Sequence, residues 1–215
     1  MAKEEKGPEK LKFHVFRDER FIDLNLYQFG WERTSPTHSY GPYARNHYLF
    51  HYIIEGRGQL MANGQEYTVT PGHGFLVVPG QVTTYRSDPA DPWVYTWIEF
   101  DGLRAHESLH LAGISGTKPI YTARNAEAGK TVEDEMMYIV NHGNASPIHL
   151  IAHGFLFLDK LVQCSAGRRS GGEIAAQVSY DNQLHFSRAF KNVHGVSPRE
   201  YRSTHLIDPE NRDKK

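Results

Sequence analysis

Between Phe21 and Phe100, short β-branched and aromatic runs are cut by glycine and proline turns at close intervals. Few folds tolerate that punctuation. Helices need longer uninterrupted stretches, and parallel sheets need long crossovers between strands. His47 to Ile54 is an aromatic and β-branched run, stopped by Gly56-Arg57-Gly58. Asn63-Gly64, between Gln59-Leu60-Met61 and Gln65 to Val69, is a type I′ hairpin signal, because both turn positions require positive φ. Pro71-Gly72, Phe75 to Val78 and Pro79-Gly80 give a further turn, strand and turn. Phe21 to Phe29 alternates in part, and Val94 to Phe100 is a last alternating strand. This pattern predicts a small antiparallel barrel or jelly roll.

Period-2 alternation in Val94–Phe100 sets Tyr95, Trp97 and Glu99 on one strand face, and Val94, Ile98 and Phe100 on the other. The first face suits a sugar. Aromatic rings stack on the apolar side of a pyranose, and charged groups take its hydroxyls in a mostly apolar pocket. Tyr85, Trp93, Arg45 and His47 are candidates to complete that pocket. The competing reading makes the same aromatics core filler.

Two helices are expected after the barrel. Asn125 to Asn141 carries Val132, Met136, Ile139 and Val140. Ser146-Pro147 then opens a helix in which Ile148, Ile151, Phe155, Leu158 and Val162 recur at helical spacing. Leu150, Phe157 and Leu161 form a second apolar row. One row can pack on the barrel or on the first helix, which leaves the other for a second copy of the chain. Complete burial of both rows is the alternative.

The region from Glu173 reads as a helix-turn-helix. Ile174, Ala175 and Val178 make a short apolar face. Asp181 is an N-cap, and Leu184, Phe186, Ala189, Phe190 and Val193 supply a buried side. Gly195 ends the helix, and Ser197-Pro198 starts another. The polar face carries Asn182, Gln183, His185, Ser187, Arg188 and Lys191. Asn, Gln and Arg suit bidentate contact with base edges. Lys191, Arg199 and Arg202 suit phosphates, which position a protein without reading sequence. The bland alternative is a solvated amphipathic hairpin.

The C-terminal residues resemble the second helix-turn-helix of the AraC/XylS transcription regulators. The resemblance rests on Glu173-Ile174-Ala175, Tyr180-Asp181, Phe186-Ser187-Arg188-Ala189-Phe190-Lys191, Gly195-Val196-Ser197-Pro198 and Tyr201-Arg202. The front of the chain resembles the cupin-like sensor domain of the same family, in its carbohydrate-responsive subgroup. There the matching residues are Arg45 to Tyr48, Gly56-Arg57-Gly58, Gly72 to Phe75, Pro79-Gly80, Tyr85, and Pro92-Trp93 through Phe100. Tyr85 and Trp97 fall where the arabinose-binding member uses a Tyr and a Trp. The resemblance implies a sugar effector, a DNA partner and a homodimer formed through the two helices. It also implies an N-terminal arm that folds over the sugar. Two departures stand out: Ser179 replaces the usual turn glycine, and a first helix-turn-helix is missing, because only Cys164 to Gly172 separates the second helix from Glu173.

The expected architecture is mixed α+β. A flexible arm (1–20) precedes a cupin-like antiparallel β-barrel that senses sugar (21–120). A two-helix dimerisation segment (121–165), a linker (166–172), the second helix-turn-helix (173–205) and a tail (206–215) follow. Charge is divided along the chain. Residues 1–163 hold 15 Lys/Arg and 19 Asp/Glu, a net −4, and residues 164–215 hold 9 and 6, a net +3. The sign of the second part suits a polyanion.

One cysteine, Cys164, excludes an internal disulfide framework and fits a reducing cytosol. No apolar run approaches the length of a membrane span, and the charged first ten residues do not read as a signal peptide. A cytoplasmic location is therefore expected, with no membrane partner. The thirteen histidines do not suggest a metal. His47 and His51 lie roughly 13 Å apart along one strand, and His149 and His153 lack the glutamate of the zinc-protease motif. No cofactor is expected. The leading expectation is a sugar-responsive regulator of carbohydrate-uptake genes rather than an enzyme. The alternatives are a sensor fragment without specific DNA binding and a cupin-fold sugar enzyme.

Overall fold

The computed structural model describes residues 10–16 and 21–168, together with Lys191 and Val196. Ten strands and three helices occupy the described part. The strands are β1 (Leu11–Val15), β2 (Asn25–Arg33), β3 (Ser39–Ala44), β4 (Tyr48–Glu55), β5 (Gly58–Ala62), β6 (Gln65–Val69), β7 (His73–Val77), β8 (Val82–Ser87), β9 (Val94–Asp101) and β10 (Ile120–Thr122). The helices are α1 (Leu103–Leu111), α2 (Ala126–Asn141) and α3 (Pro147–Cys164). A six-stranded sheet in the order β1-β2-β9-β4-β7-β10 faces a four-stranded sheet in the order β3-β8-β5-β6, and every pairing is antiparallel. This is the expected cupin-like barrel with helices after it.

Turn chemistry sets the hairpins. Asn63 and Gly64 both take positive φ, 52° and 72°, as a type I′ turn between β5 and β6 demands. The helix starts follow the same logic. The Asn125 side chain accepts the Ala128 N–H, and the Ser146 side chain accepts the His149 N–H with Pro147 in the first turn. Each cap satisfies a backbone donor that the helix itself leaves free.

The large sheet has an apolar layer on both faces. Between the sheets lie Leu49, Ile53, Leu60, Val69, Phe75, Val77, Tyr85, Trp93, Tyr95 and Trp97. On the opposite face Phe29, Phe50, Ile98 and Phe100 meet Met136, Ile139, Phe157 and Leu161 from the helices. Strand β9 is consequently buried from Val94 to Phe100. Its alternation still divides the side chains as the sequence requires.

Three expectations need correction. Leu11–Val15 is an edge strand registered against Gln28–Glu32 of β2, not part of a flexible arm. Its alternating apolar residues find a paired backbone there, and the charge of the first ten residues obscured that pattern. The expected 21–120 barrel omits β1 at one edge, cuts β10 after Ile120 at the other, and contains a helix, α1, that no periodic signal announced. The first apolar row of α3 also divides. Ile151, Leu158 and Val162 are buried with Leu150, Phe157 and Leu161, whereas Ile148 and Phe155 are exposed beside Leu156. The buried stripe runs through both rows, and Gly154 lies within it against Leu24 and Leu26; a methyl there would sit 3.0 Å from the Leu24 side chain.

Candidate functional site

The cross-strand register of the large sheet builds the site. One row runs Phe13, Gly30, Trp97, His51, Phe75 and Ile120 across β1, β2, β9, β4, β7 and β10. The row on one side is Val15, Gln28, Glu99, Leu49 and Val77. The row on the other is Leu11, Glu32, Tyr95 and Ile53. Registered partners share a face, so aromatic and ionisable groups converge on the inner face of the sheet.

Glu99 is the polar centre. It is 6% exposed, and its Oε2 accepts from Arg45 Nη1 at 3.2 Å. His47 Nδ1 lies 3.1 Å from Oε1, and the Gln28 amide also donates to the carboxylate. Arg45 in turn lies over the Tyr40 ring, 4.9 Å from its centroid. Tyr40 stacks on Tyr85 at 5.2 Å, and His47 stacks on Tyr27. A nearly buried carboxylate is tolerable only with such partners.

The aromatic part surrounds His51, which is 2% exposed. Its ring stacks on Phe75 at 4.4 Å and lies 5.0 Å from Tyr85, 4.9 Å from Tyr95 and 6.4 Å from Trp97. Burial, then Arg45 and His38, hold the His51 pKa well below its ordinary 6.5. The imidazole is therefore neutral. Its Nδ1 is buried with no hydrogen-bond partner among the described residues. Burial also raises the pKa of Tyr85 and of Tyr95, so both phenols keep their protons. The Tyr95 hydroxyl donates to Glu32 Oε2 at 3.0 Å and lies 3.0 Å from His38 Nε2.

Arg45, His47, Tyr85, Tyr95, Trp97 and Glu99 thus meet around one inner face. Trp93 sits deeper. It is fully buried, and its indole N–H donates to the Val69 carbonyl, so neither ring nor donor is free for a ligand. His51, Gln28, Tyr40 and Glu32 were not among the residues picked out in sequence. The two-residue spacing that sets His51 on one strand face with Leu49 and Ile53 was the available signal for the first. Only the pairing of separate strands brings in the others.

The DNA-facing candidates Asn182, Gln183, His185, Ser187, Arg188, Arg199 and Arg202 lie outside the described residues. Lys191 is helical and exposed. Among the described residues no group of three or more His, Cys, Asp or Glu is placed to hold a metal ion, and no helix is long and apolar enough to cross a membrane.

The fold defines a cupin-like barrel followed by helices. Residues 25–158 match the family model of the AraC-like ligand binding domain, and residues 172–203 match that of the bacterial regulatory helix-turn-helix proteins of the AraC family. The first match covers more than half of the chain, which belongs to the AraC family.

The Msm operon regulatory protein of Streptococcus mutans is 30% identical over 123 residues, covering 57% of this chain and 43% of that protein. The raffinose operon transcriptional regulatory protein of Pediococcus pentosaceus is 24% identical over 263 residues, covering 85% of this chain and 95% of that protein. The second match is longer than this 215-residue chain, so the relative carries residues with no counterpart here. The chain spans less than half of the first relative. Among solved structures, a Cupin 2 conserved barrel domain protein from Salinispora arenicola is 16% identical with a TM-score of 0.33, covering 45% of this chain and 81% of that one.

Proposed function

We propose that this protein is a sugar-responsive transcription regulator, with a carbohydrate effector held in the barrel and DNA contacted by the C-terminal helix-turn-helix. The observation that carries the reading is the inner face of β9. Trp97 offers a stacking surface, and Glu99 with Arg45, His47 and Gln28 forms a fixed set of donors and acceptors one residue pair away. The two AraC family matches support it, as do relatives whose names tie them to the Msm and raffinose operons. The proposed ligand contacts are Arg45, His47, Tyr85, Tyr95, Trp97 and Glu99. Trp93 is left to the core.

On the DNA side, Asn182, Gln183 and Arg188 are proposed to read bases, with His185 and Ser187 on the same face. Lys191, Arg199 and Arg202 are proposed to take phosphates. Sugar binding would act by favouring the arrangement of domains competent at the promoter. The protein is proposed to be cytoplasmic and to form a homodimer through α3, whose Ile148, Phe155 and Leu156 are exposed.

A second reading keeps the sensor without specific DNA binding. It is favoured by the eight residues, Ser165 to Gly172, that separate α3 from the expected helix-turn-helix. A single unit of this size has little core of its own. Titration with sugars followed by tryptophan fluorescence tests the sensor. A mobility-shift assay over increasing salt tests the DNA partner: retardation specific to a promoter fragment supports the first reading, and its absence supports the second. Turnover of the sugar would favour an enzyme, against the regulators to which the chain is related.

A further inference from the structure

The described part of β1 carries an unusual face. Leu11, Phe13 and Val15 are 52%, 47% and 62% exposed. All three register onto the site face of the sheet, opposite Glu32, Gly30 and Gln28. Phe13 is not isolated there. Its ring is near-parallel to Trp97, with centroids 6.2 Å apart and an interplanar angle of 26°. Gly30 lies between them in the row, and having no side chain it leaves the two rings as neighbouring parts of one shelf. Gln28 and Glu32 stand on either side of Gly30 and point to the same face, as their bonds to Glu99 and Tyr95 show. The shelf is therefore apolar along its middle and polar along both margins.

Next to Trp97 in the same row is His51, whose buried Nδ1 has no partner among the described residues. From β1 to β4 there are three strand spacings, about 14 Å in all. That exceeds one pyranose ring and is close to two joined end to end.

We propose that the site takes an oligosaccharide of at least two rings, laid along the row from His51 to Phe13. The inner ring stacks on Trp97, with the Glu99 and Arg45 pair at its hydroxyls. The His51 imidazole exchanges a hydrogen bond with its innermost hydroxyl. The outer ring stacks on Phe13, and Gln28 and Glu32 meet its polar edge. Those margins favour a second sugar over an apolar aglycone, which would desolvate the remaining hydrogen-bonding capacity of both polar groups without replacing it. The proposal rests on the sugar-sensor reading and adds ligand length to it.

Calorimetric titration of the full chain with galactose, glucose, lactose, raffinose and 4-nitrophenyl galactoside tests it. At least one oligosaccharide should bind roughly tenfold or more tighter than either monosaccharide. Phe13→Ala should erase most of that difference, by weakening the oligosaccharide severalfold more than either monosaccharide. Phe13 is an exposed edge residue, so circular dichroism and Tm of the variant should match the parent. Three results overturn the proposal while leaving the sensor reading intact: monosaccharides binding as tightly as oligosaccharides, Phe13→Ala lowering both equally, or the aryl glycoside matching the best oligosaccharide. Absence of binding by every sugar overturns both.

Discussion

Gly30 stands directly opposite Trp97 on the adjoining strand, and the indole fills the space where a side chain would begin. A Cβ at Gly30 would lie 2.5 Å from the outer indole carbons and from the Lys12 carbonyl. The Trp97 ring thus rests on bare backbone, and the flat stacking surface depends on a residue that makes no ligand contact itself. Gly30→Ala should displace the indole, because the opposing backbone cannot yield easily. Sugar affinity should fall at least tenfold and the tryptophan emission should shift, both read in one fluorescence titration. Unchanged affinity would show that the indole does not define the site.

Glu99 anchors the polar half. Removing its carboxylate leaves the Arg45 guanidinium, 15% exposed, without its ion partner, a change that typically costs a few kcal/mol when the remaining charge is buried. Glu99→Ala is therefore expected to lower stability in urea denaturation by about 2 kcal/mol and to abolish sugar binding. Glu99→Gln should retain more stability than Ala, because an amide oxygen can still accept from Arg45, while still weakening the ligand.

His51 gives the barrel a pH response. Its folded pKa is depressed, by burial first and then by Arg45 and His38. Below about pH 6.5 the unfolded chain takes up a proton at this position that the folded chain refuses. Stability should therefore be level above that pH and should decline as pH falls below it, by up to about 1.4 kcal/mol per pH unit from this group. His51→Phe keeps a ring between Phe75, Tyr85 and Tyr95 and removes the titration. Urea midpoints measured from pH 7.5 down to pH 5 should show a smaller slope in the variant than in the parent.

Glu135 ties α2 to α3. It is 4% exposed, lies 2.6 Å from His153 Nδ1 and accepts from the Lys160 ammonium. Truncation to Ala leaves the Lys160 ammonium and the His153 ring without their buried partner, so a loss of about 3 kcal/mol is expected in denaturant unfolding. A change under 1 kcal/mol would mean that water replaces the carboxylate there.

The exposed face of α3 bears on assembly. Phe155→Glu with Leu156→Glu alters residues 40% and 46% exposed, so the fold should persist while a homodimer using this face would dissociate. Sedimentation velocity should then show a dimer for the parent and a monomer for the variant. A parent that sediments as a monomer at micromolar concentration would rule the interface out.

Local chemistry was readable in the linear chain wherever one element decides the outcome. The Asn63-Gly64 turn, the Asn125 and Ser146 caps and the alternation that sets Tyr95, Trp97 and Glu99 on one face each depend on a few neighbouring residues. Their physics is backbone sterics and short hydrogen bonds. Which aromatic becomes core and which lines the site was not readable in that way. Trp93 and Trp97 lie on the same strand side, yet only Trp97 reaches Gly30 and Phe13, because that contact is set by the register of β9 on β2 and of β2 on β1. The recruitment of Gln28, Tyr40 and His51 has the same origin. Strand pairing joins residues distant in the chain, and its register is chosen by the packing of the whole sheet against the helices and the smaller sheet.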